Sequence, residues 1–207
     1  DAGLTAGWDW KARNNNSSIT VNWAMPEKLR IFDMDTYIYH DAVVLPVEIA
    51  VSDDKKPLSL ALDLEFMICE EICVPLEGRY GLNVSALENI KVSLYQQALL
   101  NRYSQNVPRK ISGENVVITN IPQEKAIMIE LPEEYKAVND LIVEGPEDIM
   151  FAKPGEVTGQ DRKIFQLTYE AENTALIGGR ELTLTLLAKE GPASELTVAL
   201  PVVEGKQ

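Results

Sequence analysis

The stretch LALDLEFMICEEICVPLEGRY, residues Leu60–Tyr80, holds both cysteines of the chain, Cys69 and Cys73. It opens on a strict alternation, with Leu60, Leu62, Leu64 and Phe66 on one face and Ala61, Asp63 and Glu65 on the other. A period of two is that of a half-buried β-strand, because successive side chains of an extended chain point to opposite faces. The strand runs into a short loop that carries both thiols and closes at Val74-Pro75, and Tyr80–Val84 can return as its partner. This is the one stretch that offers chemistry beyond packing, so the remainder is read as the frame that holds it.

The frame is an ordinary globular one. A chain of 207 residues suffices for one large or two modest domains. Hydrophobic residues at 45% and charged residues at 25% exclude a disordered composition. With 32 acidic against 19 basic residues the net charge is -13, which argues against nucleic acid as a partner, since phosphate contacts need clustered Lys and Arg. No apolar run approaches the roughly 20 residues that cross a bilayer, so this region is not expected to span a membrane. Asp1-Ala2-Gly3 is not the charged start of a secretory leader.

Along the chain, residues 1–10 supply turn residues and two tryptophans but no element of their own, and Lys11–Ser18 reads as a polar turn cluster. Ile19–Trp23 reads as a strand, Leu29–Asp41 as weakly extended, and Ala42–Val51 as an edge or bulged strand because of Pro46. Trp8, Trp10 and Trp23 are expected in the core. Ser85-Ala86-Leu87-Glu88 has the form of a capping box, and Leu87, Ile90, Leu94 and Ala98 follow at helical spacing, which predicts a helix over 86–103. After Pro108 the pattern is strand after strand: Val116–Ile121, Ala126–Leu131, Asp140–Glu144, Lys163–Tyr169, Glu181–Ala188 and Glu195–Val203, punctuated by Pro and Gly. Short strands at this spacing point to a β-sandwich.

Two cysteines do not make a disulfide scaffold, and one close pair leaves three roles open. As a staple, a loop this short contributes only about 2 kcal/mol of chain entropy. As a metal site, the pair needs further Cys or His ligands, and the chain has one other candidate, His40; two thiolates and an imidazole suit Cu(I). The C-x3-C-x-Pro spacing also resembles the copper-binding loop of Sco-type assembly proteins, but those use a histidine downstream of the cysteines. As a redox pair, the thiols are flanked by Glu70 and Glu71, which disfavour the thiolate. Such a pair awaits a partner that brings its own thiolate. Phe32, Asp33, Asp35, Tyr37 and Tyr39 read as a strand with packed aromatics.

The residues from Phe32 to Pro75 resemble the periplasmic N-terminal domain of DsbD-type thiol:disulfide interchange proteins, and more closely their ScsB relatives, the suppressors of copper sensitivity. Tyr39-x-Asp41, Leu45-Pro46-Val47, the strand Leu60–Phe66 and Cys69-Glu-Glu-Ile-Cys73-Val74-Pro75 carry the resemblance. Gly3-Leu4, Trp8-Asp9-Trp10, Val143-Glu144-Gly145-Pro146 and Phe151-Ala152-Lys153-Pro154 extend it along the chain. It implies a mainly all-β chain of two immunoglobulin-like β-sandwich domains joined by one α-helix: a redox sandwich over 1–84 lacking its first strands, a helix and linker over 85–110, and a second sandwich over 111–207. It implies a periplasmic protein-disulfide reductase without a cofactor, part of an inner-membrane protein. Electrons would come from the membrane-embedded or thioredoxin-like part of its own reductase and pass to thioredoxin-like periplasmic proteins. Cys73 would form the mixed disulfide, Cys69 would resolve it, and Phe32, with Tyr37 and Tyr39 beside it, would cover the pair. Cu(I) binding by Cys69, Cys73 and His40 is the alternative. The chain departs from the DsbD branch in its shorter cysteine loop, and in Arg30 and Ile31, where that branch has acidic cap residues.

Overall fold

The alternation that begins at Leu58 does not stop at Phe66. It continues to the first cysteine, and a strand of equal length returns from the second. In the computed structural model β6 (Leu58–Cys69) and β7 (Cys73–Val84) are 12 residues each and pair antiparallel without a register shift, from Leu58 opposite Val84 to Cys69 opposite Cys73. The structure describes residues 7–31, 34–70, 72–85, 90–146, 148–157, 162–171 and 177–202. It divides into two compact units, Asp1–Val107 and Pro108–Gln207.

In the first unit β1 (Gly7–Asn14) pairs with β6, placing Trp8 opposite Leu64 and Trp10 opposite Leu62, so the sheet order is β1-β6-β7. β2 (Asn16–Val21) pairs with β5 (Val47–Val51), and β3 (Glu27–Ile31) with β4 (Met34–Ile38). Residues 7–18 therefore form two strands, not the unstructured start and polar turn that their composition suggests. Pairing with β6 and β5 overrides the weak strand preference of an asparagine-rich run. Only Asn15 turns, with φ 55°, a conformation asparagine tolerates better than most residues. Its side chain then clips a second turn: Nδ2 donates to the carbonyls of Asp53 (2.7 Å) and Lys56 (3.0 Å), and Oδ1 accepts from the Asp53 N–H (2.9 Å).

Burial in this unit is concentrated at the base of the hairpin, where Leu58 and Leu60 are each 4% exposed. Trp23 is exposed, contrary to its expected place in the core, while Trp10 is half-buried. The side chain of Trp8 lies outside the described residues.

The helix α1 runs over Leu94–Ser104, eight residues later than its predicted start. Ser93, extended at φ -71° and ψ 153°, is the cap. Its Oγ accepts from the Gln96 N–H (3.2 Å), and Gln96 Oε1 accepts from the Ser93 N–H (3.0 Å). Two sequences of capping-box form lie eight residues apart, and the described residues show the helix starting at the second. The β-branched Ile90 and Val92 lower helix propensity in between. Leu87 and Glu88 lie outside the described residues. No residue of α1 is fully buried, and Leu99 and Tyr103 are half-buried.

The second unit is a sandwich of two sheets. One has the order β12 (Ile149–Phe151), β14 (Lys163–Ala171), β10 (Ala126–Leu131), β9 (Val117–Ile121), with β13 (Gly155–Val157) also paired to β14. The other has the order β11 (Val138–Glu144), β15 (Glu181–Ala188), β16 (Ser194–Ala199), β8 (Arg109–Lys110). Alternate residues of each strand point inward: Ile127, Ile129, Phe165 and Leu167 from the first sheet meet Leu141, Leu182, Leu184 and Leu196 from the second in one core. The architecture is all-β and immunoglobulin-like, with a single α-helix among the described residues.

Candidate functional site

The cysteines occupy the last position of β6 and the first of β7, so the ladder itself delivers them to each other. They face directly, with Cα atoms 4.0 Å apart, and are joined by a disulfide. At the hairpin end the Glu70 N–H donates to the Ile72 carbonyl (3.3 Å). Pro75 does not end a loop, as its sequence position suggests. It lies within β7, an edge strand of the sheet as described, where a missing N–H is tolerated.

Strand alternation gives the tip two unlike faces. On the cysteine face, Met67 pairs with Pro75, and Glu65 pairs with Glu77. On the other face, Ile68 pairs with Val74, and Phe66 with Leu76. Ile68 is 57%, Ile72 75%, Val74 46% and Leu76 38% exposed. Both cysteines are exposed as well. The disulfide is thus open to an approaching sulfur and bordered by apolar side chains. Further down, Asp63 Oδ1 meets Arg79 Nε at 3.5 Å.

Tyr37 is on β4, with Lys28 Nζ 6.0 Å from its ring centroid. Tyr39 donates its hydroxyl to the Ala24 carbonyl at 2.5 Å. Phe32 falls outside the described residues. His40 is exposed, with Nε2 4.0 Å from Glu27 Oε2. Among the described residues no three His, Cys, Asp or Glu side chains gather as metal ligands. The exposed apolar residues at the tip and the Glu65–Glu77 pair were missed in the sequence because the strand was ended at Phe66. The continued alternation of Val74, Leu76, Tyr80 and Leu82 is the signal that extends it. No helix of the described residues is long and apolar enough to cross a membrane.

Residues 2–84 match the family model described as "Thiol:disulfide interchange protein DsbD, N-terminal". A search of curated proteins found no match. Among solved structures, the N-terminal periplasmic domain of ScsB from Proteus mirabilis matches with a TM-score of 0.66 at 17% identity, covering 98% of this chain and 80% of that one. A likeness at that identity speaks for the fold, while the family model speaks for the cysteine-bearing unit. Residues 2–84 are thus similar to the N-terminal domain of DsbD-type thiol:disulfide interchange proteins, and with the disulfide-linked Cys69–Cys73 pair this supports a thiol:disulfide exchange module.

Proposed function

We propose that this chain is the periplasmic protein-disulfide reductase module of an inner-membrane protein. It relays electrons from a membrane-embedded or thioredoxin-like part of its own reductase to oxidised thioredoxin-like partners. The observation that carries this is the exposed disulfide at the outermost rung of a long hairpin, where another protein's sulfur can reach it. When the module is reduced, the Cys73 thiolate attacks a partner disulfide, forms the mixed disulfide and displaces one partner sulfur as a thiolate. Cys69 then attacks Cys73, re-forms the intramolecular bond and releases the partner as a dithiol. Two electrons and two protons pass to the partner. Phe32, Tyr37 and Tyr39 serve as the cover between encounters.

The test separates the two sulfurs. Reduced Cys69→Ser should accumulate a mixed disulfide with an oxidised thioredoxin-like protein, visible as a mass adduct on Cys73. Cys73→Ser should form none and transfer no electrons. Full transfer by Cys73→Ser would remove the assignment. A midpoint potential below about -300 mV would instead mark the pair as a structural bridge.

A further inference from the structure

The hairpin tip carries negative charge and no positive charge. From Leu60 to Gly78 the chain has five carboxylates (Asp63, Glu65, Glu70, Glu71 and Glu77) and no Lys, Arg or His. Asp63 is answered by Arg79. No ion pair is formed by Glu65, Glu70 or Glu77 with any described residue. Glu65 and Glu77 moreover stand directly opposite each other on the cysteine face. Like charges in that position destabilise a sheet, so stability does not account for them. Glu70 adjoins Cys69 in the loop, and the Glu65–Glu77 rung lies about 13 Å below the disulfide, at roughly 3.3 Å per residue. On the other face, Ile68, Val74 and Leu76 are exposed beside the same disulfide.

We propose that the tip selects its exchange partner by charge and apolarity: it takes a protein thiol set in an apolar surface with a cationic rim, and it disfavours small anionic thiols. This rests on the exchange function above. The attacking species is a thiolate, so a carboxylate beside the target raises the energy of approach. For one unit charge at about 6 Å in water the effect is about threefold in rate at low salt, and salt removes most of it. A cationic rim around the attacking sulfur cancels that repulsion and meets Glu70, Glu65 and Glu77. In the step itself the incoming sulfur forms a bond to one cysteine sulfur, and the Cys69–Cys73 bond breaks. Its electron pair leaves on the other cysteine, which takes a proton from water.

The experiment measures reduction of the oxidised full chain by two blocked peptides. In one, Cys is flanked by Leu and Arg; in the other, by Leu and Glu. Mercaptoethanol is the small reference, and rates are expressed per thiolate. At about 10 mM salt the Arg peptide should react about tenfold faster than the Glu peptide, falling to about twofold at 0.5 M. In E65Q/E70Q/E77Q the low-salt preference should fall to about twofold, and that variant should fold because it loses only repulsion. Ile72→Ser should slow both peptides severalfold and leave mercaptoethanol unchanged. Equal peptide rates at low salt, or a preference untouched by the triple variant, would overturn charge selection. Peptide rates unchanged in Ile72→Ser would overturn the apolar part. A disulfide that mercaptoethanol does not reduce at all would instead overturn the exchange function.

Discussion

Leu60 and Leu82 face each other across β6 and β7, yet Leu60 is 4% exposed and Leu82 51% exposed. Truncating each to Ala makes the same chemical change at one rung of one ladder, so the difference isolates burial. Leu60→Ala removes a fully buried side chain and leaves a cavity among its neighbours, at a cost of about 2–5 kcal/mol. Leu82 already leaves half its surface in water, so Leu82→Ala should cost about 1 kcal/mol. All three tryptophans, Trp8, Trp10 and Trp23, lie in the first unit, so indole fluorescence reports its unfolding selectively. With a urea slope of about 1 kcal/mol per molar for a unit this small, Leu60→Ala should lower the fluorescence midpoint by about 2–5 M and Leu82→Ala by about 1 M. Equal shifts for the two variants would refute the placement of the first unit's core at the hairpin base.

Glu144 and Glu195 share the outward face of their sheet, and burial first, then the Glu195 charge, hold the Glu144 carboxyl above its ordinary 4.5. The folded chain therefore holds this proton more tightly than the unfolded one; the contribution is full below about pH 4.5 and is lost as pH rises through the higher folded value. Glu144→Gln should raise the melting temperature at pH 7 and flatten its fall above pH 4.5; the residue as a whole is exposed, so the gain stays under about 1 kcal/mol. Tyr169, 2% exposed, donates its hydroxyl to Asn120 Oδ1 at 3.2 Å. Tyr169→Phe should cost about 1 kcal/mol in chemical denaturation. Burial raises this phenol above 10.0, so its contribution is intact below pH 10 and lost as pH rises through the folded value, a decline that a base titration of the Phe variant should show reduced. A Cβ at Gly113 would meet the Thr197 carbonyl at 2.8 Å, so Gly113→Ala should cost about 1–3 kcal/mol by thermal melt. Gly78→Ala should be close to neutral, because the group it meets, at 2.6 Å, is the exposed ring of Tyr80, which can swing aside.

The legible parts of the fold were those where one physical signal acted alone. Ala126–Leu131 and Glu181–Ala188 alternate cleanly between turn residues, and the strands fall at those bounds. β1 and β2 were hidden because their pairing energy comes from β6 and β5, distant in sequence, while their own asparagines favour turns. The helix start was misplaced because Ser85 and Ser93 both head capping boxes and local sequence does not rank them. The spacing of Cys69 and Cys73 was enough to allow a bond, but not to choose among staple, redox pair and metal site. The Glu65–Glu77 pair was invisible, since only the register of β6 on β7 brings residues 12 apart into opposition.

The position of the disulfide on the outermost rung has a thermodynamic consequence. Eleven further rungs, from Ile68–Val74 down to Leu58–Val84, hold the strands in register without it. The loop it closes is so short that the chain entropy it removes from the unfolded state is small, about 2 kcal/mol. Oxidation and folding are therefore coupled by no more than that: around the cycle of folding and oxidation, the effective concentration of one thiol at the other differs by about thirtyfold between folded and unfolded chains, less than a long loop would give. A module built this way can turn over between its two redox states with its scaffold unchanged. The same ladder then presents the tip to whichever protein delivers electrons and whichever removes them.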